Sequence, residues 1–188
     1  MWALVESGSV QEIYTKPKAI KIGDNQYPQN IFELWSTSEL EAIGIYPVTI
    51  DNSNLKDKSY YNNTDITYTV DGTTVTGAYG TATALPLADV LYTQEDEDAG
   101  LGTKDEVKQY GLKGQHKNNV NGKAGVLLGE TDWYTLREAD GGTAVPSNVA
   151  TYRAAIRTKA NTHTTAIDNA ADVDALAALV YDWPTLGS

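Results

Sequence analysis

The chain predicts an α+β fold, a small antiparallel β domain followed by an α-helical hairpin or bundle. Three observations carry this. Short apolar runs alternate with turn residues through about residue 50, a hairpin sequence follows at 65–79, and a helical stripe begins near Pro146. The domains are expected at 1–93 (mainly β, with one short helix at 37–43) and 103–188 (helical), joined by an acidic linker at 94–102. With 188 residues there is room for one ordinary domain or two small ones.

The runs "WALV", "EIY" and "AIKI" read as strands, and Gly23-Asp24-Asn25 is turn chemistry that ends the strand holding Ile20 and Ile22. In "WSTSELEAIG", Ser36 as N-cap with Glu39 three residues on forms a capping box. Trp35 and Leu40 are spaced for a hydrophobic staple, and Gly44 stands where a left-handed residue stops the helix. "ITYTVDGTTVTG" predicts a hairpin with a type I′ turn at Asp71-Gly72. Ile66, Tyr68 and Val70 share one face with Val75 opposite, and threonines face solvent.

The run "QEDEDAGLG" fails as a calcium loop. Asp96 and Asp98 fit the first and third ligand positions, but Val107 falls where a glutamate is required. Thr103 with Glu106 predicts a capping box that opens a helix towards Leu128. Each of Gly111, Gly114, Gly122 and Gly125 disfavours that helix by about 1 kcal/mol relative to alanine. Close packing by a neighbour would offset this, which makes the four glycines candidate partner contacts. From Ser147, the residues Val149, Tyr152, Ile156, Ala160, His163 and Ile167 form a stripe of about five turns. Asp172 opens a last helix with Leu176, Leu179 and Val180 on one side, before "DWP" at 182–184.

Between these helices lies a crowd of aromatic and charged residues: Asp132, Trp133, Tyr134, Arg137, Tyr152, Arg153, Arg157 and, further on, Trp183. Such side chains line sites, and they also pin helices together. "EADGGTAVP" reverses the chain, so Trp133 and Tyr134 are expected to meet Tyr152 or Ile156, with Asp132 or Glu138 within reach of an arginine. On this staple reading, Trp133→Ala costs ~3–5 kcal/mol because the indole is buried.

A site would need a nucleophile beside a base, a phosphate cradle or a selected carboxylate pair. None of G-x-S-x-G, G-x-x-x-x-G-K-[ST] or G-x-G-x-x-G occurs. The chain has no cysteine and only two histidines, so thiolate and His-rich metal sites are excluded, and His163 reads as a packing histidine. No catalytic, cofactor-binding or metal-ligating set is expected.

Formal net charge is −11, with 11 acids against 5 Lys/Arg in residues 1–90 and 14 against 9 in 91–188. No half is basic, which speaks against nucleic acid as a partner. The opening "MWALVESGSVQEIYTK" lacks a signal-peptide pattern and no window approaches 18 apolar residues, so a soluble product of a cytoplasm is expected, without membrane insertion.

The segment "TDWYTLREADGGTAVPSNVATYRAAIR", with "DWP" further on, resembles tailed-bacteriophage tail proteins, particularly the tail-fibre assembly family and related marine-phage tail proteins. The shared pattern is a "TDW" start, a "P…YR" helix with a further arginine, and a terminal "WP". Thr131-Asp132-Trp133, Pro146, Tyr152-Arg153, Arg157 and Trp183-Pro184 match it, and "YPQNIFELWSTSELEAIGIYPV" looks like the opening of the same proteins. The likeness spans about residues 25–50 and 104–185. The glycine-bearing helix departs from it, and the Thr-rich hairpin and acidic linker lie outside it.

The resemblance implies a virion tail protein made in the host cytoplasm. The leading expectation is a non-enzymatic structural component that binds a tail fibre, a tailspike or an adjacent tail protein, with homo-oligomers left open. The alternatives are a fibre-assembly chaperone absent from the mature particle and, third, a glycan-binding or glycan-hydrolysing particle protein.

Overall fold

The computed structural model describes residues 1–187 and is α+β, with two compact units, Met1–Thr83 and a second beginning at Ala84. The boundary lies ten residues before the expected one, and the acidic stretch 94–102 belongs inside the second unit rather than between two domains.

In the first unit, β1 (Trp2–Glu6) and β2 (Ser9–Tyr14) form a hairpin over Ser7-Gly8. Both turn residues have positive φ (52° and 75°), the signature of a type I′ turn. β3 (Ile20–Ile22) and β4 (Asn25–Tyr27) make a second hairpin over Gly23-Asp24. A turn of helix, α1 (Ile31–Leu34), follows; its Ile31 and Phe32 are buried, so tertiary burial holds this element where local pattern did not announce it. α2 (Thr37–Ala42) carries the capping box: Glu39 N–H donates to Ser36 Oγ (3.3 Å), and Ser36 N–H donates to Glu39 Oε2 (2.7 Å). Gly44, at φ 82°, then turns the chain into β5 (Ile45–Asp51). Any side chain there would be strained by φ, and its Cβ would stand 2.9 Å from the Val5 carbonyl oxygen.

β6 (Tyr61–Asn62) precedes the hairpin of β7 (Ile66–Asp71) and β8 (Thr74–Tyr79). Asp71 pairs with Thr74, so the two loop residues are Gly72 and Thr73, of which only Gly72 has positive φ. The turn is therefore displaced by one residue from Asp71-Gly72 and carries the φ signs of type II′ rather than I′. The main sheet runs β2-β1-β5-β8-β7. It is antiparallel except for β5 and β8, which pair in parallel from Val48↔Val75 to Asp51↔Ala78. The sheet curls so that β7 approaches β2. Leu4, Tyr14, Ile20, Ile31, Phe32, Leu40 and Ile45 make its core, with Trp2 against Phe32 at 4.9 Å between ring centroids.

The second unit follows β9 (Thr83–Ala84) at the junction. β10 (Val90–Leu91) and β11 (Val107–Gln109) form a two-stranded ribbon around α3 (Gln94–Asp98). Thr93 and Asp96 supply the capping box here, where Thr103 and Glu106 were expected to. The predicted helix from Thr103 instead starts at Leu112, because residues 107–109 are taken by the ribbon.

α4 (Leu112–Gly129) is then unbroken. Alongside it lies α6 (Ser147–Asn169), joined through α5 (Asp132–Ala139). Lys113 Nζ reaches the Asp168 carbonyl (2.8 Å) while Arg153 reaches that of Leu128 (2.7 Å), so α4 and α6 run antiparallel. The stripe Val149, Tyr152, Ile156, His163 and Ile167 is buried. α7 (Val173–Ala177), capped by Asp172 Oδ1 on Ala175 N–H (2.7 Å), buries Leu176. Val180, expected beside Leu176, is exposed because the helix has already ended.

Candidate functional site

The link from α4 to α5 is a short polar knot. Thr131 is buried, and its hydroxyl donates to the Leu128 carbonyl (3.0 Å). Arg153 of α6 enters the same place with 8% of its surface exposed. Its Nη1 donates to Leu128 O and to Thr131 Oγ1 (both 2.7 Å), and its Nη2 donates to Asp132 Oδ1 (2.8 Å). One guanidinium thus satisfies a carbonyl left open at the end of α4 and meets a carboxylate in the first turn of α5. The cation stands at the negative end of α4 and the anion at the positive start of α5, so both macrodipoles favour the arrangement. Tyr152 packs beside it with Ala124, Leu127 and Ile156, and Trp183 closes the same cluster.

The other aromatic residues turn away. α5 buries none of its own residues. Trp133 is 52% exposed and Leu136 65%. Trp133 stacks on Tyr134 with centroids 3.7 Å apart, and the Arg137 guanidinium lies over both rings at 5.1 and 5.4 Å. Arg137 Nε also donates to Thr143 O (3.1 Å) and Nη2 to Ala144 O (3.2 Å), which fixes the loop after α5. The expectation that Trp133 and Tyr134 meet Tyr152 or Ile156 is therefore corrected. Their packing partner is Arg137, on their own helix, and the 3–5 kcal/mol attached to a buried indole does not apply.

The remaining candidates separate as well. Arg157, one turn after Arg153, is exposed and borders a cleft with Thr135, Glu138 and Val145. Gly111 and Gly114 are buried by their own unit: a Cβ at Gly111 would run into the Ala88 carbonyl, and one at Gly114 into the Asp89 carboxylate. Neither is a partner contact. Gly122 and Gly125 are exposed, with nothing within 4 Å of an added Cβ.

A second cluster gave no local signal, because its members lie up to 65 positions apart. His116 Nδ1 and the Tyr181 hydroxyl are 2.7 Å apart, and the Tyr181 ring meets His163 edge-on at 5.3 Å. His163 Nε2 donates to the Asp182 carbonyl (2.8 Å), and Lys159 pairs with the Asp182 carboxylate (2.6 Å). Burial lowers the His116 pKa from its ordinary value. These contacts hold residues 181–183 against α4 and α6.

Among the described residues no group of three or more His, Cys, Asp or Glu could hold a metal ion. No described helix is long and apolar enough to cross a membrane. Comparisons with protein families, with curated proteins and with solved structures find no match to the chain.

Proposed function

We propose that this chain is a non-enzymatic component of a bacteriophage tail that docks onto a fibre, a tailspike or an adjacent tail protein through α5. The observation that carries the docking role is the Trp133–Tyr134–Arg137 stack, whose Trp133 is exposed while Tyr134 and Arg137 are half-buried, with exposed Leu136 on the same helix. Trp, Tyr and Arg are the residues in which binding energy concentrates at protein interfaces. Here they are held in place before any partner arrives, since the stack and the Arg137 bonds to Thr143 and Ala144 restrict the side chains. The tail context comes from the resemblance of the "TDW", "YR" and "WP" segments.

Mass spectrometry of purified virus particles tests the reading. The expected result is the chain at fixed stoichiometry in the tail. Its absence from particles, with co-purification of a fibre protein from infected cells, would replace the mounted part with a departing assembly chaperone. Degradation of a host polysaccharide by the purified chain, abolished by a single carboxylate substitution, would replace both with an enzyme.

A further inference from the structure

The cleft between α5 and α6 carries unlike charges on its two walls. Thr135 and Glu138 line it from α5, Arg153, Arg157 and Ala150 from α6, and Val145 from the loop between them; its volume is about 250 Å³. One wall is fixed, because Arg153 is buried and held by Leu128 O, Thr131 Oγ1 and Asp132 Oδ1. Arg157 and Glu138 are exposed, and among the described residues neither makes an ion pair. They border one cleft from opposite helices without reaching each other. The space between them can hold a ligand.

The residue types select the occupant. The chain has three arginines against eleven lysines, and all three arginines lie on α5 and α6. Arg137 lies over the Trp133–Tyr134 stack and Arg153 closes the knot, which leaves Arg157 uncommitted. A guanidinium grips a carboxylate through two parallel N–H bonds, a geometry that an ammonium lacks. Arg153 and Arg157 also stand one turn apart on α6, a like-charge spacing that an anion relieves. A simple anion, however, would meet Glu138 on the facing wall, and a simple cation would meet two guanidiniums. A ligand with both a carboxylate and an ammonium group suits both walls. Thr135 adds an acceptor for the ammonium, since its hydroxyl proton goes to Asp132 O (2.7 Å) and oxygen lone pairs remain.

We infer that the α5–α6 cleft binds a small zwitterion, an amino acid whose carboxylate meets Arg157 and whose ammonium group meets Glu138 and Thr135. Arg153 adds a fixed positive charge on the carboxylate side, and the carbon chain lies against Val145 and Ala150. This inference is independent of the tail reading and does not use the Trp133–Arg137 stack.

The test is titration of the isotope-labelled full chain, followed by nuclear magnetic resonance, with glycine, γ-aminobutyrate and aminohexanoate. These probes space the two charges progressively further apart. At least one should shift the Arg157 Nε–H signal and the Val145 and Ala150 amides saturably. Hexanoate and hexylamine, which each lack one charge, should bind at least tenfold more weakly than that probe. Arg157→Gln and Glu138→Gln should each weaken its binding at least tenfold. Both positions are exposed, so amide signals away from the cleft should show the variants folded; Arg157→Lys, which keeps the charge and loses the fork, provides a milder variant with an intermediate loss. No saturable shift with any of the three probes, or binding that ignores both substitutions, would overturn the site. Hexanoate binding as tightly as the best amino acid would overturn the zwitterion and leave a site for simple anions.

Discussion

At the scale of single residues, two members of the same expected cluster, Arg153 and Trp133, have opposite fates. Arg153 was accessible to sequence reasoning because a helix reversal between "TDW" and "YR" brings an arginine near Asp132 whatever the loop geometry. Trp133 was not. An eight-residue helix has too few turns for its apolar face to be told from a solvent face. The energetic consequences differ accordingly. Arg153→Ala removes donors from Leu128 O and Thr131 Oγ1 in a buried knot, and should lower stability by ~2–4 kcal/mol. Asp132→Ala should cost below ~1 kcal/mol, because its carboxylate is half in water. Urea unfolding of the two variants measures the contrast, and equal losses would contradict the knot. Trp133→Ala should likewise leave stability within ~1 kcal/mol of the parent. Its effect should instead appear as lost incorporation into particles, by the ~2 kcal/mol or more typical of an interface hot spot.

At the scale of elements, what could be read in advance was local. The Ser36–Glu39 box and the α6 stripe depend on residues three or four apart, so their spacing is visible in the chain itself. The parallel pairing of β5 with β8 and the β10–β11 ribbon join short segments across 15 or more intervening positions, where pattern carries no information about partners. The glycines of α4 show how one residue type can divide. Gly111 admits close approach of the Leu87–Ala88 backbone and Gly114 that of the Asp89 carboxylate, whereas Gly122 and Gly125 face open space. Alanine at 122 or 125 should therefore stabilise the chain by ~0.5–1 kcal/mol each, since nothing opposes the gain in helix propensity. Gly77→Ala in β8 should do the reverse. Its Cβ would lie 2.7 Å from Tyr68 Cε1 and 2.9 Å from Ile50 and Ile66, an overpacking worth ~1–3 kcal/mol. Thermal melts of the three variants separate these outcomes by sign.

For the whole molecule, pH acts on the two units through different groups. Asp96 is held down to about 2, first by Lys108 and then by the Thr93 N–H; Glu39 is lowered by Ser36, and Glu12 by Lys18 and Tyr14. A carboxylate whose folded pKa lies below its unfolded value stabilises the fold when ionised. That contribution is present above about pH 4 and is lost as pH falls towards 2. His116 titrates earlier. Burial lowers its pKa from 6.5, so the folded state favours the neutral ring, which is hydrogen-bonded to the Tyr181 hydroxyl. Its contribution is full above pH 6.5 and is lost as pH falls through the lower folded value. The cations nearest in sequence on α4, Lys113 and Lys117, reach Asp168 of α6, while Asp182, paired with Lys159, faces His163. Acidification should thus produce two steps. Below pH 6.5, tyrosine and tryptophan fluorescence should change as residues 181–183 loosen from α4, with helix content retained. Between about pH 4 and 2, circular dichroism should fall as the carboxylate contributions disappear. His116→Gln should erase the first step and leave the second. A first step that survives in this variant would show that the tail is released by some other group.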